Sequence, residues 1–185
     1  MIRRRTALTA LALPALVGRA HAQAFPDQPV RLIVPFAAGG PADLIARTVG
    51  RAMGEKLGKP VVVEARAGAG GLIGIDYVAK SRPDGHTLVL ASSGGMVILP
   101  HLQPSMPYDP RTDLSPITQV LAVPQIVSIS PGLGPRNLAE LVALAKARPG
   151  QLAYGSAGIG SSLHLAGELF KLRAGIDITH VPFRG

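Results

Sequence analysis

Apolar and polar residues along this chain fall into blocks that switch between two periods. Residues 30–34 (Val-Arg-Leu-Ile-Val) have the near-continuous apolar, β-branched character of a strand buried in a parallel sheet. Leu44, Ile45, Thr48, Val49, Ala52, Met53 and Leu57 then recur at helical spacing until Gly58 and Pro60 stop the helix. The unit repeats. Residues 61–63 predict a second strand, Ala67-Gly68-Ala69-Gly70-Gly71 a second turn, and residues 73–81 a shorter helix. After the turn signal Pro83-Asp84-Gly85, residues 87–91 predict a third strand that ends at Ser92-Ser93-Gly94-Gly95. Strands alternating with helices imply an α/β fold with a parallel sheet. The C-terminal ends of its strands, and so the three small-residue turns, share one edge, where such sheets bind ligands.

Four prolines, at 100, 104, 107 and 110, make residues 99–111 an irregular surface excursion. Residues 114–123 and 125–129 predict two further strands, and Val123-Pro124-Gln125 between them a hinge between lobes. Asn137-Leu138-Ala139-Glu140 is a capping box that opens a helix with Leu138, Leu141, Val142 and Ala145 on one face; Pro149-Gly150 closes it. Residues 152–154 predict a strand leading into the Gly/Ser turn 155–162, with Ser161 as cap of a helix over 163–173 and a last strand over 176–181. This second group has too few elements to close a sheet, so the chain is expected to be truncated within its second lobe.

Arg3-Arg4-Arg5, the apolar residues 6–17 and the small-x-small site Ala20-His21-Ala22 have the order of an export signal, cleaved after Ala22 or Ala24. The apolar stretch is shorter than the ~20 residues of a bilayer span, so no membrane insertion is expected once the signal is removed. Thr6-Ala7-Leu8 continues a twin-arginine pattern only weakly, which favours the general secretory route. The expected organisation is a leader over 1–24, a first lobe over 25–123 and a partial second lobe over 124–185. The leader carries four arginines and no acid, so removing it takes away about half of the formal charge of +8. What remains is scattered among acids without interleaved aromatics, which excludes a nucleic-acid surface. The chain has no cysteine, which removes thiolate metal sites and cysteine nucleophiles.

The turn from Pro35 to Asp43 carries the leading candidate chemistry. A strand that feeds a Gly-rich turn and a helix start points unpaired N–H groups and the positive helix end at one spot, which suits an anion. Pro41 fits the first helical position, and Asp43 either competes with a bound anion or braces the turn. The glycines match neither a phosphate loop nor the dinucleotide fingerprint, so no cofactor is expected. Ser92, Ser93, Ser156, Ser161 and Ser162 invite a serine-hydrolase reading with His164 as base and Glu168 one helical turn on, but none lies in a G-x-S-x-G elbow. His164 and Glu168 read more simply as a helix-surface pair, without a further metal-ligand set. His86, His101 and His180 stand isolated in the sequence and are assigned no role. Hydroxyls and backbone donors without a general base suit holding a carboxylate, not transforming it.

Phe25-Pro26-Asp27-Gln28-Pro29 through Pro35-Phe36, then Gly39-Gly40-Pro41-Ala42-Asp43, Pro83-Asp84-Gly85-His86-Thr87-Leu88, Ala145-Lys146-Ala147-Arg148-Pro149-Gly150 and Gly155-Ser156-Ala157-Gly158 through His164 to Phe170 form an ordered set. On these motifs the whole mature chain resembles the Bug family, the extracytoplasmic substrate-binding receptors of tripartite tricarboxylate transporters. The resemblance implies a periplasmic binding protein-like fold (type II), with two lobes of mostly parallel sheets around a ligand cleft, the second lobe incomplete here. It also implies a monomeric periplasmic protein, not an enzyme, that takes a small carboxylate and passes it to membrane transporter subunits. Carried over residue by residue, the ligand-binding positions are Phe36, Ala38, Gly39, Gly40, Ala42 and Asp43 on the first jaw. Ser156, Ala157, Gly158, Ser161 and Ser162 form the second; beyond this carry-over, His164 beside the second jaw and Ser92 and Ser93 at the third turn are further ligand-binding candidates. Ala65-Arg66-Ala67 and Leu72-Ile73 depart from the family pattern, so the second turn is expected to differ in shape.

Overall fold

A computed structural model describes residues 24–183, which leaves the proposed leader, apart from Ala24, and the terminal Arg184-Gly185 outside the described residues. Strand β1 (Val30–Val34) is the centre of a parallel sheet in the order β2-β1-β3, with β2 at Val61–Ala65 and β3 at Thr87–Val89. Its apolar run is explained by this position: Val30, Leu32, Ile33 and Val34 are all buried. Arg31 is the exception, and its guanidinium grips Glu64 on the neighbouring strand through two hydrogen bonds of 2.7 and 2.8 Å. That pairing holds the Glu64 carboxyl below its ordinary range. Arg66 lies over the Tyr77 ring, 3.7 Å from its centroid.

Helix α1 (Pro41–Leu57) covers β2 closely because its contact face carries glycine. A Cβ on Gly50 would lie 3.3 Å from Val61 Cγ1. Gly58 ends the helix in the left-handed conformation, its N–H donating to the Gly54 carbonyl. Helix α2 (Leu72–Ala79) begins one residue before the predicted start, and its Ile75 packs in a cluster with Leu72, Leu99 and Tyr108. Tyr108 donates to the Gly95 carbonyl at 2.8 Å, so its hydroxyl is satisfied in the core, and burial pushes its pKa up to about 12. The third turn continues into one wide helical turn over Gly94–Ile98 and a short helix α3 (Leu99–Leu102), so the proline-rich excursion starts as helix.

The second group holds helix α4 (Leu138–Ala147), strand β4 (Ala153–Ser156), helix α5 (Ser162–Ala174) and strand β5 (Thr179–Pro182), with β4 and β5 parallel. Its small core is Ala145, Ile176 and Ile178. The cap is formed in a variant of the expected box: Glu140 N–H donates to Asn137 Oδ1 at 2.9 Å, while the Glu140 carboxylate accepts from Asn137 Nδ2 at 2.7 Å and from the Arg136 backbone N–H at 2.8 Å. Both strands lie slightly later than predicted, since Ile176 and Ile178 are buried before the ladder begins.

The strands predicted over 114–123 and 125–129 are not formed. That stretch has no regular secondary structure and is largely exposed, with no ladder partner among the described residues. Strand propensity marks a segment that suits a ladder, but the ladder itself needs a neighbour, and neither described sheet brings one within reach.

Candidate functional site

Strands β1, β2 and β3 run parallel, so the turns that follow them, at 35–40, 66–71 and 90–95, lie at one edge of the sheet. The turn between β4 and α5 closes against that edge. An added Cβ on Gly158 would stand 3.3 Å from the Gly70 nitrogen, and one on Gly94 would stand 2.9 Å from the Gly160 oxygen. Gly70, at φ +65°, makes the tightest backbone approach, where any Cβ would collide with the Ile159 carbonyl. Glycine is therefore required at this seam for close approach of backbone to backbone, as well as for turning the chain.

Between the turns lies a cavity of about 440 Å³, lined by Pro35 and Phe36 after β1, the Gly68–Gly71 turn after β2, Gln103, the Ala157–Ile159 turn, and Pro182-Phe183 at the end of β5. Of the positions named from sequence, Phe36, Ala157 and Gly158 are in this lining. Ala38, Gly39, Gly40, Ala42 and Asp43 belong to the first turn and the start of α1, beside the lining. Asp43 is buried, at 5% exposure, and turned onto its own loop. The Gly39 N–H donates to Asp43 Oδ2 at 3.1 Å, and Arg47 holds both carboxylate oxygens at 2.9 and 3.1 Å. Arg47 first, and then the Gly39 amide, keep the Asp43 carboxyl below its ordinary value. Of the two roles open from sequence, the geometry gives it the brace.

Ser161 caps α5 by accepting the His164 N–H at 3.2 Å, and Ser162 is the first residue of that helix. His164 Nδ1 accepts the Gly160 N–H at 3.2 Å, so this imidazole braces the second turn from within. Ser92 Oγ is buried beside Gly94 without a hydrogen-bond partner among the described residues, and Ser93 is exposed.

His180, isolated in the sequence, has a partner in the fold. Its Nε2 lies 2.6 Å from Ser156 Oγ, and that oxygen also accepts the Gly158 N–H at 3.2 Å. The ring stacks against His164, with centroids 4.2 Å apart, and against Tyr154 at 4.9 Å. Burial, and then the His164 ring, push the His180 pKa down. Glu168 faces neither ring as an orienting acid; it accepts from Tyr154 Oη at 2.7 Å and pairs with Lys171 at 3.1 Å. The hydroxyl within reach of an imidazole is thus the buried Ser156, with the half-buried His180, and the arrangement of a turn serine with His164 as base is not made among the described residues.

Two helix starts open at the joined turns. In α1 and α5 the first-turn N–H groups, those of Ala42, Ser162 and Leu163, have no acceptor within their own helix, and each start carries the positive dipole end. Residues 45–185 match the model of the tripartite tricarboxylate transporter family receptor. The chain belongs to that family. It is 42% identical to Protein BugT of Bordetella pertussis over 176 residues, which cover 95% of this chain and 54% of BugT. Among solved structures it resembles R. palustris Rpa4515 with adipate (37% identity, TM-score 0.84) and MatC from Rhodopseudomonas palustris with bound malate (33%, TM-score 0.75). The periplasmic binding protein BugD gives 32% and 0.74. Each of these three matches covers 87% of this chain and 54–55% of the other. The fold is therefore that of the periplasmic binding proteins, and the chain spans about half the length of the relatives it matches.

Several lining positions of this family member escaped the sequence reading. The Gly68–Gly71 turn was visible as a glycine cluster at a strand end and could have been included on that signal. Phe183 could have been noticed as an aromatic residue directly after a strand. Gln103 gives no sequence signal, because it reaches the cavity only through the course of the chain after α3.

Proposed function

We propose that this chain is the carboxylate-gripping part of a periplasmic solute receptor, exported by the leader at 1–24, which delivers a small carboxylate to membrane transporter subunits. The observation that carries the reading is the convergence of the turns after β1, β2 and β4 on one cavity, two of them leading into the starts of α1 and α5, in a family whose solved members include one with adipate and one with malate. The ligand carboxylate is held by backbone N–H groups at the turns Phe36 to Asp43 and Ser156 to Ser162, and its chain lies along Phe36 and the second turn. Ser92 and Ser93 border the same edge. The lobes divide at residue 123, and the receptor acts as a monomer and a binder without catalysis.

Backbone N–H NMR of the exported chain, titrated with adipate or malate, tests the grip. Millimolar ligand is expected to give saturable shifts at Ala38, Ala42 and Ala157 to Leu163, corresponding to roughly −4 kcal/mol of binding free energy. The neutral diamide of adipate is expected to give none. Unchanged amides at both turns with every anion tried would overturn the reading.

A further inference from the structure

Backbone amides along the second jaw alternate between held and free. Gly158 and Gly160 are buried, and their N–H groups are taken from within the second group: Gly158 donates to Ser156 Oγ and Gly160 to His164 Nδ1, each at 3.2 Å. Ala157 and Ile159, which line the cavity, keep N–H groups with no acceptor among the described residues. Holding two peptide planes inward sets where the planes between and beside them point, because each plane is rigid. The amides offered to the cavity therefore depend on two acceptors that lie behind the turn.

Those acceptors are linked. Ser156 Oγ lies 2.6 Å from His180 Nε2, and the His180 ring stacks on His164 with centroids 4.2 Å apart. A neutral imidazole has one acceptor nitrogen, so taking the Gly160 N–H at Nδ1 places the His164 proton on Nε2. A second proton would go to Nδ1 and set two donors against each other across the 3.2 Å contact. Buried amides in folded proteins are paired, so the turn would then have to move. The titratable groups that face the stack are Tyr154 from β4 and Glu168 and Lys171 from α5. Glu168 is taken by Tyr154 Oη at 2.7 Å and Lys171 Nζ at 3.1 Å, and no carboxylate hydrogen-bonds either ring among the described residues. On the far side of the turn stand Gly70, Gly94 and Leu99, none of them titratable. Burial, and then the His164 ring, hold the His180 pKa below its ordinary value, which keeps a neutral ring against Ser156.

We propose that His164 is a positioning residue of the carboxylate grip, with Ser156 and His180 as its second support, and that the grip weakens when His164 takes up a proton. The inference rests on the carboxylate reading given above. A charged ring also attracts an anion, but at a half-buried position that attraction is screened. Hydrogen bonds to a carboxylate fail steeply with distance and angle, so displacement of the amides outweighs it.

The test is a malate titration of the exported chain, followed by amide NMR at about pH 8 and about pH 6, a range in which carboxylates stay ionised and histidine changes charge. In the unsubstituted chain the dissociation constant is expected to rise at least ~5-fold from the higher pH to the lower. His164→Asn keeps an acceptor at the δ position and cannot titrate. It is expected to bind as the unsubstituted chain does at the higher pH, and to change less than ~2-fold between the two. His164→Leu and Ser156→Ala are each expected to bind at least ~10-fold more weakly at the higher pH. The pH comparison needs only the unsubstituted chain, so it decides the matter where a variant does not fold. A flat pH profile, a profile that His164→Asn leaves unchanged, or undiminished binding by His164→Leu would overturn the proposal and leave the carboxylate reading standing. Failure to bind either malate or adipate at both pH values would overturn that reading, and the proposal with it.

Discussion

Asp43 holds the first turn in one shape, with its carboxylate between the Gly39 amide and Arg47. Its pKa in the folded chain lies below the ordinary 3.8. A depressed carboxyl stabilises the fold fully above its unfolded pKa, and that contribution is lost as pH falls through the folded value. Carboxyl NMR is expected to give an Asp43 midpoint below 3.8 in the native chain, moving back toward 3.8 in Arg47→Met. His180 works in the opposite direction on the pH scale, because it is a base held neutral. Its folded pKa is below 6.5, so the unfolded chain takes the proton first as pH drops beneath that value, and stability declines until the folded pKa is reached. Urea midpoints are expected to fall as pH drops below 6.5, and to fall less in His180→Gln. Gly70 is constrained twice, by φ +65° and by the Ile159 carbonyl. Gly70→Ala is expected to cost at least about 1–2 kcal/mol in urea unfolding, since the left-handed conformation alone carries that penalty for a residue with a Cβ.

Helix α5 depends on its ends more than on its faces. Ser161 caps it, Gly175 closes it in the left-handed conformation at φ +62°, and Lys171 and Arg173 occupy its last turn. With no fully buried side chain along its length, the helix has little packing to compensate for a lost cap. Ser161→Ala is expected to destabilise the chain by about 1 kcal/mol in urea unfolding, with Ser161→Asp close to neutral. Helix α4 was legible from the same kind of local signal, because the Asn137 and Glu140 capping bonds span three residues and need nothing from elsewhere in the chain. Strands were legible only where a neighbour arrived. Residues 30–34 and 125–129 are equally β-branched, yet only the first lies between two strands that take up its backbone bonds.

Across the molecule, the sheet order β2-β1-β3 puts three turns on one edge, and the β4 to α5 turn closes on them to shape the cavity. Exposed apolar surface is the other feature at this scale. Residues 25–185 are expected to bind a hydrophobic dye such as ANS, with the signal falling when Ile117 and Ile126 are both changed to Ser. The sequence by itself determined the α/β alternation, the buried character of residues 30–34, the caps at Asn137 and Ser161, and the positions of the Gly-rich turns. Each follows from sterics, side-chain hydrogen bonding or periodicity within a few residues. Only the tertiary structure decided that Gly70 meets Ile159, that His180 meets Ser156, that Gln103 and Phe183 line the cavity, and that residues 114–129 join neither sheet of the described residues. Those outcomes depend on which distant segments come into contact, and contact between distant segments is set by the packing of the whole sheet and not by the residues on either side of a turn.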